Sequence, residues 1–285
     1  MIADGRKAFL DELLAAVRQG AAEKLLAEDC RYDVLYALSP ERENLFAWAE
    51  WPQGASVLEV GCGCGALTGG FLRAGLSVQA LARTKAEAEV VRARYPEASR
   101  LSVCSMEDDG RVCAAGIRFD FVTLVGTLEE APLWLPSESS PFAAMMAKAA
   151  EALREGGQLF VAADNRLGAR YFSGAPEKYT GQRFAGLEGY PARSARTFSR
   201  RELSELLAAA GFVAECWYYP YPDYAFPAQV FSDERLPHRE DFAADIEALA
   251  GERLMMFDER LFLQSVSPED FPMFANSFLV QARRI

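Results

Sequence analysis

Val57-Leu58-Glu59-Val60-Gly61-Cys62-Gly63-Cys64-Gly65, running on into Ala66-Leu67-Thr68, decides the fold. Val57 to Val60 read as a strand, three alternating glycines follow, and a helical pattern opens directly behind them. Glycine reaches positive φ and carries no Cβ, so the loop can turn tightly and let a ligand approach its backbone. The helix behind it points unpaired N–H groups at that ligand, which suits a carboxylate or a phosphate. A strand, a glycine loop and a helix in this order predict a nucleotide-type cofactor site.

The dinucleotide fingerprint is G-x-G-x-x-G, whereas this chain has Gly61-x-Gly63-x-Gly65 with Glu59 two residues ahead. That arrangement resembles the first motif of the class I S-adenosylmethionine (SAM) methyltransferases. The resemblance implies SAM as cofactor, with Glu59 near its ammonium group and the backbone of Gly61, Cys62, Gly63 and Gly65 around its amino-acid end. The implied fold is α/β: a Rossmann-like, seven-stranded, mostly parallel sheet with N-terminal helices and two insertions forming a lid or small lobe.

The second strand reads Leu76 to Leu81. Folds of this kind place Asp or Glu at its end, roughly 20 residues beyond the glycine loop, to hold the ribose hydroxyls. Here that place falls on Ala82 or Arg83, and the next carboxylate is Glu87 in the following helix. Three readings stay open: other groups hold the ribose, cofactor affinity is reduced, or the chain is a binding-impaired relative. Leu101 to Met106 take the place of the third strand and its adenine-contacting turn. Met106 is placed to cover the adenine face; Ser105 stands where an Asp or Asn is common, with Glu107 and Asp108 close by. Phe119 to Gly126 read as the fourth strand, followed by Thr127-Leu128-Glu129-Glu130. Leu153 to Ala162 read as a helix end, a Gly156-Gly157 turn and the fifth strand. Leu81, Ala82, Ser105, Met106 and Gly126 complete the expected cofactor-binding set.

With 285 residues the chain can bury one sizeable core and a smaller lobe. No run approaches the roughly 20 apolar residues of a membrane span, and the N-terminus reads as an amphipathic helix rather than a signal peptide; cytoplasmic residence is the expectation. Six unevenly spaced cysteines suit reduced thiols better than a disulfide framework. Cys62-x-Cys64 has no second close pair, so it reads as loop filling and no metal is expected. The formal charge of −11 disfavours nucleic acid as a partner. It is unevenly spread: residues 164–201 carry eight Lys/Arg against three Asp/Glu, while 223–270 carry twelve acids against four bases.

Residues 1–50 read as an N-terminal helical segment and 51–285 as the methyltransferase domain. Ser39-Pro40 is a helix start, further helices are expected near 66–74, 84–94 and 140–154, and Ser199 caps another that stops at Gly211. Phe212 to Tyr219 and Asn276 to Ala282 read as strands, the last antiparallel. Insertions at 164–198 and 220–275 interrupt this scheme, and loops that long are usually functional. Seven of the ten tyrosines lie between Tyr171 and Tyr224, available either to stack on sugars or bases or to form a lobe core with hydroxyls at its rim.

Several segments narrow the likeness: Asp164-Asn165-Arg166-Leu167-Gly168, Tyr171-Phe172-Ser173-Gly174, Tyr179-Thr180-Gly181, Gly189-Tyr190-Pro191, Arg196-Thr197-Phe198-Ser199 and Tyr218 through Tyr224. With Leu38-Ser39-Pro40 upstream and Asn276-Ser277-Phe278-Leu279 downstream, they resemble a bacterial subgroup of class I methyltransferases that often accompanies cell-surface polysaccharide glycosyltransferases. The resemblance implies a small or glycan-linked acceptor. The chain departs from the subgroup at Ala82, where an acid is usual, and at Tyr179, where a histidine is usual.

Methyl transfer from a sulfonium needs mainly positioning and exclusion of water, and an alcohol acceptor gains from a general base. Candidates for the base are Asp164, Glu177, Tyr179 and Asp223; Asp164, at the tip of the fifth strand, and Tyr179 are the expected catalytic residues. Asn165, Arg166, Tyr171, Arg196, Tyr221 and Asp223 are the expected substrate-binding residues, with Arg166, Arg170, Arg193 and Arg196 toward a phosphate or carboxylate. His238, the lone histidine, is expected in a surface loop. Two alternatives stand beside the enzyme reading. One is a catalytically impaired SAM-fold binding module or scaffold, motivated by Ala82 and Tyr179. The other is an rRNA adenine methyltransferase relative, suggested by Gly65-Ala66-Leu67-Thr68 and opposed by the acidic charge. Oligomeric state is not readable from the sequence.

Overall fold

The computed structural model describes residues 2–108, 116–191, 194–242 and 256–285. Among them, the strands β1 Ser56–Val60, β2 Ser77–Ala82, β3 Leu101–Ser105, β4 Phe119–Val125, β5 Leu153–Asp164, β6 Phe212–Tyr221, β7 Gln229–Ser232 and β8 Ser277–Arg284 form one mostly parallel sheet. Their order is β3-β2-β1-β4-β5-β8-β6-β7. β8 lies antiparallel between β5 and β6, as expected of the last strand. The sheet has eight strands rather than seven. The additional one, β7, comes from the second insertion and pairs antiparallel with Tyr218–Tyr221. The buried Phe231 ring holds it there, packing edge-on against Phe271 at 5.8 Å.

The chain divides into two compact units, Met1–Thr123 and Leu124–Ile285. In the first, β1 and β3 both pair in parallel with β2. Helices α1 Ile2–Arg18, α2 Ala22–Glu28 and α3 Tyr32–Leu38 precede the sheet, and α4 Thr68–Arg73 and α5 Lys85–Arg94 follow β1 and β2. Leu10, Leu13, Val34, Ala37 and Leu38 form a core cluster with Cys64 and Val90. This packing joins the N-terminal helices to the glycine loop and α5. Ser39 accepts from the Glu41 amide at 3.2 Å and Pro40 occupies the first position, but the turn they start, Pro40–Phe46, is 3-10.

The second unit adds α6 Ala131–Trp134, α7 Pro141–Ala152, α8 Ala169–Phe172, α9 Ala185–Glu188, α10 Arg200–Ala209, α11 Glu259–Ser265 and α12 Phe271–Phe274. A reciprocal capping box between Ser199 and Glu202 starts α10, and Gly211 at φ 79° closes it. β5 begins at Leu153, so Gly156, at φ 72°, lies within the strand rather than in a turn before it. Tyr171, Tyr219, Tyr221 and Tyr224 are buried, while Tyr179, Tyr190 and Tyr218 are half-buried, which is the lobe-core arrangement, although the Tyr224 hydroxyl lies inside rather than at a rim.

No helix among the described residues is long and apolar enough to cross a membrane. Cys30, Cys62, Cys64 and Cys216 are free thiols, whereas Cys104 is disulfide-bonded, a departure from the all-reduced expectation.

Candidate active site

The loop after β1 passes through left-handed backbone at Gly61, Gly63 and Gly65, with φ of 81°, 52° and 82°. It is tied back from one side. The amides of Gly61 and Cys62 donate to the Leu81 carbonyl at 2.8 and 3.2 Å. The Arg94 guanidinium donates to the Cys64 carbonyl at 2.8 Å, and the Tyr95 hydroxyl to the Gly65 carbonyl at 2.8 Å. In contrast, the amides of Gly63 and Cys64 meet no backbone acceptor among the described residues. A Cβ on Gly63 would touch nothing within 4 Å. Carbonyls drawn back and amides left over make a cradle for a negatively charged group. The carboxylate end of SAM fits such a donor set.

Glu59 is buried, and its carboxylate accepts from the Thr68 hydroxyl at 2.6 Å. Burial pushes its carboxyl up to about 7, against the Thr68 hydrogen bond and the charges of Arg42 and Arg94. Glu59 thus braces the start of α4 from behind the loop. Cys62 and Cys64 are buried too; burial pushes the Cys64 thiol up to about 12 and the Cys62 thiol well above its ordinary value.

At the end of β2, Ala82 is fully buried and presents no carboxylate. Leu81 contributes its carbonyl to the loop, and its side chain is half-buried. After β3, the Ser105 hydroxyl donates to Asp108 at 2.8 Å, Lys85 pairs with Asp108 at 3.0 Å, and Glu107 accepts from the Lys85 amide at 2.9 Å. Met106 stands half-buried at the start of that turn. Glu107 and Asp108, the acids close to Ser105, therefore already hold local partners.

In the second unit the chain builds a buried polar cluster around Glu129, just beyond the carboxyl end of β4. Glu129 is fully buried; its Oε1 accepts from the Asp164 amide at 2.9 Å. Its Oε2 accepts from Lys178 Nζ at 3.0 Å, from the Tyr179 hydroxyl at 3.1 Å and from the Tyr224 hydroxyl at 3.1 Å. Lys178 also stands 3.5 Å from Asp164 Oδ2 and keeps 36% of its side chain exposed. Burial raises the Glu129 and Asp164 carboxyls, against the charge of Lys178. Burial alone would lower Lys178, but Glu129, Tyr224 and Asp164 hold it charged. Gly126, at φ 71°, lies under Tyr224, whose hydroxyl stands 2.6 Å from where a Cβ would be.

The two expected catalytic residues, Asp164 and Tyr179, are therefore brought together, each on one oxygen of Glu129. Glu129 and Lys178 themselves were not singled out. The available signal was an acid directly behind the fourth strand and a lysine beside Tyr179 in a basic insertion.

The expected substrate-binding residues are largely engaged inside the protein, and Arg193 lies outside the described residues. Asn165 donates to the carbonyls of Met273 and Ala275 at 2.8 and 2.7 Å. Arg166 and Arg196 converge on Glu202 at 3.1 and 3.7 Å, and Arg196 lies over the Phe142 ring. Asp223 pairs with Arg170 at 2.7 Å and accepts from the Ala225 and Phe226 amides; burial would raise its carboxyl, but Arg170 holds it below its ordinary value. Tyr171 is buried, and Tyr221 packs edge-on against Phe242 at 5.1 Å. His238 is exposed, as expected.

This architecture, with its glycine loop after the first strand, is that of the class I methyltransferases. The chain belongs to the methyltransferase-domain family, matching it over residues 30–216. No curated protein matches the sequence. Among solved structures, the CcbJ methyltransferase from Streptomyces caelestis superposes with a TM-score of 0.52 at 16% identity, over 87% of this chain and 90% of that one. The glycopeptide N-methyltransferase MtfA complexed with SAM gives 0.50 at 18% identity, over 88% and 96%. At these identities the likeness is one of fold.

Proposed function

We propose that this chain is a SAM-dependent methyltransferase acting on a small or glycan-linked acceptor. The observation that carries the reading is the loop at Gly63, with its carbonyls held by Arg94 and Tyr95 and its Gly63 and Cys64 amides left to a ligand. Gly61, Cys62, Gly63 and Gly65 would hold the amino-acid end of the donor, with Glu59 behind them. When bound, SAM supplies an electrophilic methyl group on a sulfonium.

The chain's own residues then have to place an acceptor, exclude water and receive a proton where the acceptor is a hydroxyl. Asp164 and Tyr179 lie at a cluster suited to the last task, because Glu129 accepts from Tyr179 and burial raises its affinity for a proton. Ligands of open α/β sheets bind outside the carboxyl ends of the strands. The glycine loop follows that end of β1. Cytoplasmic residence belongs to the same reading.

A second reading, a SAM-fold module that binds without turnover, is favoured by one observation: Ala82 leaves the end of β2 without a carboxylate. Calorimetry with SAM and S-adenosylhomocysteine (SAH) tests both. Binding of both ligands, with tritium transferred from methyl-labelled SAM to a glycoside or glycolipid acceptor, supports the enzyme. Binding without transfer to any of a broad acceptor panel supports the module. Absence of heat and of thermal shift with either ligand removes both.

A further inference from the structure

The carboxylate missing from the end of β2 has a substitute nearby. Glu87 is the third residue of α5, and its side chain folds back over the strand end. Its Oε2 accepts from the Arg83 and Thr84 amides at 3.2 and 3.1 Å. This reciprocates the Thr84 cap on the Glu87 amide and places the carboxylate beside the backbone that directly follows Ala82.

The glycine loop reaches the same strand end, where the amides of Gly61 and Cys62 donate to the Leu81 carbonyl at 2.8 and 3.2 Å. Glu87 therefore stands at the end of β2 to which the loop is tied, where nucleotide-binding α/β folds hold the ribose hydroxyls. Its second oxygen, Oε1, is not used in capping. It accepts from the Arg6 guanidinium of α1 at 2.5 Å. Glu87 is 3% exposed in its side chain, whereas Arg6 is 54% exposed. A buried carboxylate covered by a solvated cation is a site closed by a displaceable group.

We propose that Glu87 Oε1 is the ribose-hydroxyl acceptor of this chain, and that Arg6 occupies it in the absence of cofactor and leaves when cofactor binds. The proposal rests on the SAM-binding reading above. Two hydroxyl donors on a ribose can satisfy a carboxylate oxygen that loses its guanidinium, and the capping oxygen Oε2 stays in place throughout. Arg6 keeps its solvation on leaving, since more than half of its side chain already meets water, and the ribose hydroxyls take its place on the buried oxygen. The N-terminal helix therefore sets cofactor affinity through competition at one oxygen.

Calorimetric titration of the full chain with SAH decides the matter, using R6A, E87Q and their double variant. In E87Q the side-chain carbonyl oxygen can stay on the Arg83 and Thr84 amides while an NH₂ group, which cannot accept, replaces Oε1. E87Q is expected to weaken SAH by about tenfold or more. R6A is expected to tighten it several-fold in the native background and to have no effect in the E87Q background. A chain that binds SAH only once Arg6 is removed shows the competition in its strongest form. Melting temperatures read beside the titrations separate loss of the acceptor from loss of the helix cap: E87Q should lose SAH affinity while the chain stays folded.

Native chain that binds SAH, with unaltered affinity in E87Q and R6A, overturns the Glu87–Arg6 assignment and leaves the SAM-binding reading intact. Failure of both the native chain and R6A to bind SAH overturns the two together.

Discussion

The Tyr95 hydroxyl donates to the Gly65 carbonyl at 2.8 Å, while Cε2 of the same ring stands 3.1 Å from where a Gly65 Cβ would lie. One side chain thus pins the loop and crowds any enlargement of the residue it pins. Gly65→Ala combines this crowding with a φ of 82° and is expected to cost about 1–3 kcal/mol, read from urea unfolding. Tyr95→Phe keeps the packing and removes the pin, so it should weaken SAH binding with only a small change in unfolding midpoint.

Gly63 presents the opposite case. It too has a positive φ, of 52°, but a Cβ there would touch nothing within 4 Å. Gly63→Val should cost about 1–2 kcal/mol of backbone strain yet abolish detectable SAH binding, because the side chain stands over the cradle. A Gly63→Val protein that folds and binds SAH normally would show that ligand does not approach this stretch of backbone.

The buried Glu59 carboxyl carries a pH signature. Burial raises it from the ordinary 4.5 to about 7, so between those values the folded chain binds more protons than the unfolded chain. Its contribution to stability is complete below about 4.5 and is lost as the pH rises through about 7. Glu59→Gln removes the titration while keeping an acceptor for Thr68. Thermal melts at pH 5 and pH 8 should show a larger fall for the native chain than for Glu59→Gln; parallel falls would assign the dependence to other groups.

Glu129→Ala leaves Lys178 and the Tyr179 and Tyr224 hydroxyls without their common acceptor. Truncating one partner of a buried ion pair typically costs about 3–5 kcal/mol. With a third of Lys178 exposed, about 2–3 kcal/mol is expected here. Glu129→Gln should recover most of that loss, since an amide oxygen can still accept from two of the three donors. Urea titration of the two variants side by side measures the difference.

Asn165 was expected to bind substrate, yet its side-chain amide joins the turn after β5 to the carbonyls of Met273 and Ala275. Asn165→Ala should therefore lower stability by about 1–3 kcal/mol. A variant with unchanged melting temperature would return Asn165 to the list of acceptor contacts.

The glycine loop and the order of strands were legible because both are written locally. Glycines mark positive φ, and short apolar runs between turn signals mark buried strands. β7 was not legible, since its four residues are held by pairing with β6 and by the Phe231–Phe271 contact rather than by their own pattern. The hub of the polar cluster was hidden for a similar reason. Glu129 and Glu130 are neighbours of equal chemistry, and only the turn after β4 decides that the first is buried and the second half-exposed. Asn165, Arg166 and Tyr221 looked available to a ligand because the sequence does not show the distant carbonyls, carboxylate and ring that engage them. Arg94 and Tyr95 were missed because what they grip lies some 30 residues upstream.

The Arg94 guanidinium spans the Ala37 carbonyl at the end of α3 and the Cys64 carbonyl in the glycine loop, at 2.9 and 2.8 Å. Trimming the protein to its sheet by starting at Trp51 would strip this clamp of one jaw. A fragment so shortened is expected to retain its strands while the loop at Cys64 slackens, which amide hydrogen exchange at Gly63 and Cys64 would register as faster exchange than in the full chain.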